Sequence, residues 1–292
     1  PVVESAWRPT SDARRELIGF VAMVAAGALA WFVLHAVPWP LILGEAAGNR
    51  FVVLAVDTLM MVAAGLAALF AARAVGFPSF VEPWNAFFSQ RHAAWLLALI
   101  VLYKLGDAFA GALSTTFLIR GAGFSPAEVG TVNKVFGLIA TIVGALVGGI
   151  WLARRPLFES LLVFGVLQAV SNLGYWALSV LPKHFGLMAA AIGLENLCGG
   201  MGTAAFVAFL MTLTDKRFSA AQYALLSALS AVGRVYVGPA SGVLVEAFGW
   251  PTFFLMTVAT ALPGLLLLLL LRRTIDRISR PAPAISTIDD RD

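Results

Sequence analysis

Eight stretches of this sequence are each long and apolar enough to cross a lipid bilayer. They lie at roughly 16–37, 51–75, 92–119, 127–153, 157–181, 186–214, 221–248 and 251–271. A spanning helix needs about 20 mostly apolar residues to traverse a hydrocarbon core about 30 Å thick. In lipid every backbone N–H and C=O must find a partner within the chain, which leaves helices and closed barrels as the only solutions. Runs of this length read as helices. Composition agrees: 60% of residues are hydrophobic and 12% charged, against about 25% charged in a soluble domain. The expected fold is an all-α membrane protein with eight transmembrane helices.

The separators read as turns. Residues 82–91, EPWNAFFSQR, carry Trp and Phe residues suited to a short helix at the membrane surface. In GAGFSPAE, Ser125 has Pro126 and Glu128 placed for a capping box. Ser219 and Gln222 repeat that spacing before the seventh stretch. Basic residues divide unevenly over the loops. With the N-terminus cytoplasmic, that side holds fourteen: Arg8, Arg14, Arg15, Arg73, Arg91, Arg154, Arg155, Lys216, Arg217, Arg272, Arg273, Arg277, Arg280 and Arg291. The other side holds three, Arg50, Arg120 and Lys183. Lys and Arg collect on cytoplasmic loops, so the bias supports eight crossings with both ends cytoplasmic. It gives no reason to expect nucleic acid as a partner. The expected organisation is a cytoplasmic linker (1–15), a transmembrane hairpin (16–75), a linker with an interfacial helix (76–91), a six-helix unit (92–271) and a cytoplasmic tail (272–292). The chain begins at Pro1 without methionine or a signal-like segment, and a longer polypeptide is expected around it.

Charges inside the spans are the second constraint. Lys104, Asp107, Gly111 and Ser114 share one helix face, as do Lys134, Gly137, Thr141, Gly144 and Gly148. Glu195 aligns with Gly199 and Gly202, and Arg234 with Ser227, Ser230, Gly238 and Ser241. Gln168, Asn172 and Tyr175 form a milder stripe. At about 1.5 Å rise per residue, the five charges fall near the middle of the bilayer. Each facing lipid there would cost at least roughly 2.5–3.5 kcal/mol, so they are expected to face one another or a wet cavity. Lys104 and Asp107 read either as a packing pair or as part of a binding site. Lys134 and Arg234 have no carboxylate within a helical turn. The excess of cations favours an anionic cargo group. Glu195 is the leading protonatable group and Asp107 the next, and Asn133, Asn196 and Tyr236 add polar capacity nearby. The glycines read mainly as packing positions.

Neither a metal nor a cofactor is expected. His35, His92 and His184 are scattered, Cys198 is single, and there is no phosphate-loop lysine motif.

The six-helix unit resembles one half of a major facilitator transporter. GGIWLARRPLF (148–158) is similar to the superfamily's Gly- and Arg-rich loop, without its usual acidic residue, and FGWPTFF (248–254) to its Gly-Trp turn. More specifically, IVLYKLGDAFAGALSTTFLIRGAGFSPAEVGTVNK (100–134) and ENLCGGMGTAAFVAFLMTLTDKRFSAAQYALLSALSAVGRVYVGP (195–239) resemble the AmpG muropeptide permeases. The hairpin is similar to an insertion between the two halves in some members. The resemblance implies a secondary transporter rather than an enzyme, in the inner membrane of a Gram-negative bacterium. It implies proton-driven import of N-acetylglucosaminyl-1,6-anhydro-N-acetylmuramyl peptides by alternating access, for peptidoglycan recycling linked to β-lactamase induction. A preceding six-helix half would complete the site. On that reading Lys104, Lys134 and Arg234 meet stem-peptide carboxylates, while Asn133, Gln168, Asn172, Asn196 and Tyr236 meet sugars and amides. A membrane-embedded sensor or assembly subunit, and a lipid flippase or exporter on the same fold, are the alternatives.

Overall fold

The computed structural model of the protein describes residues 13–279 apart from Lys216. Of the basic residues counted above, Arg8, Lys216, Arg280 and Arg291 lie outside it, as do the side chains of Val232, Val235 and Tyr236. Every regular element among the described residues is a helix.

Helices α1 (Ala13–Ala36) and α2 (Arg50–Val75) form an antiparallel hairpin. Gly27 faces Ala64 and Ala68 across it, and Gly19 faces Phe77. The Asn49 side chain caps α2 by accepting from the Phe51 N–H at 2.9 Å. Most large side chains of the pair are exposed, among them Leu17, Phe20, Leu29, Phe32, Leu59 and Phe70. That is the pattern of helices solvated by lipid. A short helix, α3 (Pro78–Phe88), follows where the sequence expects one. It stacks Phe77, Phe80, Trp84 and Phe88 in an aromatic ladder.

The rest of the chain is a bundle. It contains α4 (Ala93–Gly121), α5 (Pro126–Leu152), α6 (Leu157–Val180), α7 (Phe185–Thr212) and the helical segment Ser219–Leu270. The expected capping box forms at the start of α5. Ser125 Oγ accepts from the Glu128 N–H at 3.2 Å, and the Ser125 N–H donates to Glu128 Oε2 at 2.7 Å. The second expected box does not form, because Gln222 has other partners. Its Oε1 accepts from the Asp215 N–H at 2.6 Å and its amide donates to the Pro83 carbonyl at 3.1 Å. A buried amide bridges the preceding loop to α3 instead of turning back on its own helix.

Seven described segments meet the length and hydropathy of a spanning helix, the last being Val237–Leu270. Ser219–Leu270 is itself two helices, because Gly249 (φ 76°, ψ 168°) is non-helical. Such a φ is routine for glycine and costly for other residues. We name the two arms α8 (219–248) and α9 (250–270). They run in opposite directions along α4. On α8, Gln222 meets Pro83 and Gly233 meets Val101 and Leu105. On α9, Trp250 meets Phe117, Ala261 meets Gly106 and Gly264 meets Leu102. With the two arms counted separately, eight long helices are described, at the positions of the eight apolar stretches of the sequence. A short helix, α10 (Arg272–Ile278), ends the described chain.

Contacts between loops define two ends of the bundle. Gln90 meets Leu213, and Arg272 lies over Phe158, at one end. Lys183 meets Gly123, and Arg50 pairs with Glu246, at the other. The loop arginines next to these first contacts, Arg91, Arg154, Arg155, Arg217 and Arg273, lie with Arg272 at the first end, hereafter the basic end.

Close helix contacts rest on glycine. A Cβ at Gly144 would lie 2.1 Å from the Leu197 carbonyl oxygen, and one at Gly200 would lie 2.3 Å from that of Thr141. Helices α5 and α7 thus touch backbone to backbone, the close approach that small residues permit in membranes. Gly149 faces open space. We expect Gly144→Ala to destabilise the folded protein by about 1–3 kcal/mol by forcing the helices apart. Gly149→Ala should stay within about 0.5 kcal/mol. Thermal unfolding in detergent micelles compares the two; equal melting temperatures would contradict the packing.

Candidate functional site

Two apolar clusters fill the bundle, one above the other. Leu99, Ile100, Phe164, Phe206, Phe209 and Leu268 belong to the cluster at the basic end. Phe117, Phe124, Tyr175, Ile192, Phe253 and Phe254 belong to the other. Lys104, Asp107, Gln168, Asn172, Glu195 and Asn196 fall in the sequence intervals between them, so the polar side chains form a layer at middle depth. Apolar packing on both sides limits the layer's access to bulk water.

Lys104 organises one side of this layer. It is only 8% exposed. Its Nζ stands 3.7 Å from Asp107 Oδ2, within 3.5 Å of Thr203 Oγ1, and 5.5 Å above the Phe206 ring. A carboxylate, a hydroxyl and an aromatic face therefore surround the amine. Asp107 keeps 30% of its side-chain exposure, because it opens onto a cavity of about 550 Å³. Lys104, Asp107, Gly111, Thr203, Arg234 and Gly238 line that cavity. Arg234 has no carboxylate pairing with it among the described residues. The cavity therefore holds two cations and one anion, and it suits a ligand carrying negative charge.

Glu195 organises the other side. Tyr175 Oη donates to Glu195 Oε2 at 2.9 Å, and Asn196 Nδ2 approaches the same oxygen at 3.4 Å. The Asn196 amide also donates to the Ile192 carbonyl at 2.8 Å, and its Oδ1 lies 3.0 Å from the Thr141 hydroxyl. A continuous chain of polar groups thus runs from α5 through α7 to α6. No cation pairs with Glu195 among the described residues; neutral donors satisfy it.

Gln168 and Asn172 are 5% and 1% exposed, and the amide nitrogen of each has no hydrogen-bond partner. A Cβ at Gly202 would lie 2.7 Å from Gln168 Oε1, and one at Gly199 would lie 3.6 Å from its Nε2. These two glycines make room for a polar side chain from α6 rather than for a second backbone. Unpaired buried amide donors are costly and leave hydrogen-bonding capacity for a ligand or water in the layer.

The expected α5 stripe is only partly realised. Gly137, Gly144 and Gly148 face α7, with Thr141 bonded to it, but Lys134 is exposed and Asn133 half-buried. The cause is a π-helical turn at Val132–Gly137. Each such turn inserts one residue relative to α-helical spacing, which rotates Lys134 away from the glycine face. Similar irregularities mark α4, which breaks at Lys104 and ends in a π turn at Phe117–Gly121. Another break falls at Asn172 in α6. Irregular backbone at membrane depth is tolerated where protein buries it or it lines a cavity. Three such irregularities coincide with site residues. The Tyr236 side chain lies outside the described residues.

The chain's ancestry can be read beside this geometry. The profile of the Major Facilitator Superfamily matches residues 95–288, more than half of the chain. The chain belongs to the major facilitator superfamily. It is 64% identical over 196 residues to the anhydromuropeptide permease of Escherichia coli K12, covering 67% of this chain and 40% of that protein. Over the same length it is 36% identical to the transporter AmpG 4 of Rickettsia conorii, covering 67% of this chain and 47% of that one. The chain thus spans less than half the length of the curated relatives it matches. That superfamily is one of membrane transporters rather than enzymes.

Within this superfamily unit, sequence periodicity found Lys104, Asp107 and Glu195 but not their partners on other helices. Tyr175 appeared only as part of a stripe. Thr203 lies eight residues after Glu195 on α7, a spacing that could have flagged it. Phe206 gave no signal. The Lys104–Asp107 pair makes a stability prediction. Asp107→Ala leaves the buried ammonium with a hydroxyl and a ring, and should cost roughly 1–3 kcal/mol after allowance for the exposed carboxylate. The double change Lys104→Ala/Asp107→Ala should recover part of that loss. Chemical denaturation of the three proteins measures the coupling, and strict additivity would contradict a structural pair.

Proposed function

We propose that this chain is the C-terminal half, with an inserted hairpin, of a proton-driven importer of anhydro-muropeptides in a bacterial inner membrane. The observation that carries this reading is the 64% identity to the E. coli anhydromuropeptide permease over 196 residues. The cavity chemistry supports it. Stem-peptide carboxylates suit Lys104 and Arg234 through charge-assisted hydrogen bonds. Sugar hydroxyls and amides suit the unpaired donors of Gln168 and Asn172 and the amide of Asn133. Lys134, rotated out of the α5–α7 contact, is available to the preceding six-helix half, which completes the site from the other side. The positive-inside bias supports a cytoplasmic basic end.

In this mechanism the cargo enters the polar layer from the periplasm while the halves are open outward. Glu195, held by neutral donors rather than a cation, carries the coupled proton, and Asp107 sets the charge on the cargo side. Rocking of the two halves about the polar layer exchanges access between the two faces. The imported fragments feed peptidoglycan recycling and, through it, β-lactamase induction.

Uptake of labelled anhydro-muropeptide into vesicles containing the full-length protein tests this. We expect uptake to depend on a proton gradient, and Glu195→Gln and Arg234→Ala to abolish it while membrane insertion persists. Equal uptake with and without a gradient would remove the proton coupling. Wild-type uptake by Glu195→Gln would remove Glu195 as the proton carrier.

A further inference from the structure

A second polar cavity lies far from the site, at the basic end. It has a volume of about 560 Å³, and its lining includes Arg155, Glu159, Thr212, Arg272, Asp276 and Ser279. The two arginines meet acids loosely, Arg155 with Glu159 at 3.9 Å and Arg272 with Asp276 at 3.8 Å. All four side chains are substantially exposed, and pairs of this kind contribute little. Each guanidinium also lies over a ring, Arg155 over Trp151 at 5.9 Å and Arg272 over Phe158 at 5.2 Å. The rings hold the guanidinium planes in place while leaving their N–H edges able to exchange a carboxylate for another anion.

A groove of about 350 Å³ meets this cavity at Arg155. Its wall is Val147, Ile150 and Trp151 on the last turns of α5, with Arg154 and Arg155 at its mouth. Val147 and Ile150 are exposed, so the groove opens on the outer surface of α5. The indole N–H of Trp151 is buried and unpaired. The segments 154–159 and 272–278 carry five arginines, 154, 155, 272, 273 and 277, against the two acids.

We propose that this junction binds one anionic phospholipid of the surrounding bilayer. Its headgroup phosphate sits between Arg155 and Arg272, and an acyl chain lies along Val147 and Ile150. An excess of cations joined to an apolar groove at the membrane boundary is complementary to that one class of molecule. A soluble anion has no use for the groove, and a zwitterionic lipid gains less from the arginines. The site is separate from the cargo cavity, and the proposal does not rest on the identity of the cargo.

Native mass spectrometry of the full-length protein, with palmitoyl-oleoyl phosphatidylglycerol and phosphatidylcholine as probes, tests it. The phosphatidylglycerol adduct should persist at higher collision energy than the phosphatidylcholine adduct. Arg155→Gln/Arg272→Gln should lower phosphatidylglycerol occupancy roughly tenfold or more, leaving phosphatidylcholine unchanged. Arg155→Lys/Arg272→Lys, which keeps the charge and serves if the first variant folds poorly, should retain most binding. Ile150→Trp, which fills the groove, should weaken the diacyl lipid. Equal retention of the two lipids, or unchanged occupancy in the glutamine variant, overturns the proposal. Displacement by inorganic phosphate together with an ineffective Ile150→Trp overturns it in favour of a free-anion site.

Discussion

The bundle is arranged around charges that lipid will not accept. Lys104, Asp107, Glu195 and Arg234 lie at a depth where exposure to hydrocarbon costs several kcal/mol each, and each is handled differently. Lys104 is buried against Asp107, Thr203 and Phe206. Glu195 is held by Tyr175 and Asn196. Arg234 shares a cavity with the first pair. Apolar clusters close the layer from both ends. The glycine contacts of α5 with α7, and of α4 with α9, draw the helices together around it. A polar interior in a membrane bundle must either be fully paired or serve a ligand. Among the described residues this one is incomplete: the cavity cations outnumber their carboxylate, and two buried amides lack acceptors.

Much of the fold was legible because bilayer thickness imposes it. Apolar runs set the crossings, Ser125 and Glu128 marked the start of α5, and basic loops sorted the ends. The Lys104–Asp107 pair was legible because three residues bring two side chains onto one helical face. Pairings between helices were not. Tyr175 and Glu195 meet, as do Thr141 and Asn196, because of crossing angles and rotations that no single helix encodes. Gln222 has the spacing of a capping residue, yet tertiary partners, the Asp215 N–H and the Pro83 carbonyl, claim it. Lys134 shows the opposite failure. Its spacing was right for an unbroken α-helix, and a π turn moved it.

Those irregular turns bear on mechanism. A regular helix has no spare backbone groups and little local freedom. Breaks at Lys104 and Asn172 and the π turn through Asn133 and Lys134 place the site residues where the helices depart from regularity. Local rewinding there would reorient a side chain without moving a whole span. The basic end has another chemistry. Its weak ion pairs and ring-stacked arginines lie beside an apolar groove, well apart from the polar layer.

The central claim is that the cations of the polar layer recognise carboxylates on the cargo. Calorimetric binding of anhydro-muropeptide to the purified full-length protein tests it, using the natural fragment and one with its stem-peptide carboxylates amidated. Amidation should weaken binding to the wild-type protein by roughly tenfold or more, the scale of a lost charge-assisted contact, and should matter little to Arg234→Ala. Equal affinity of the wild-type protein for the two fragments would contradict the account.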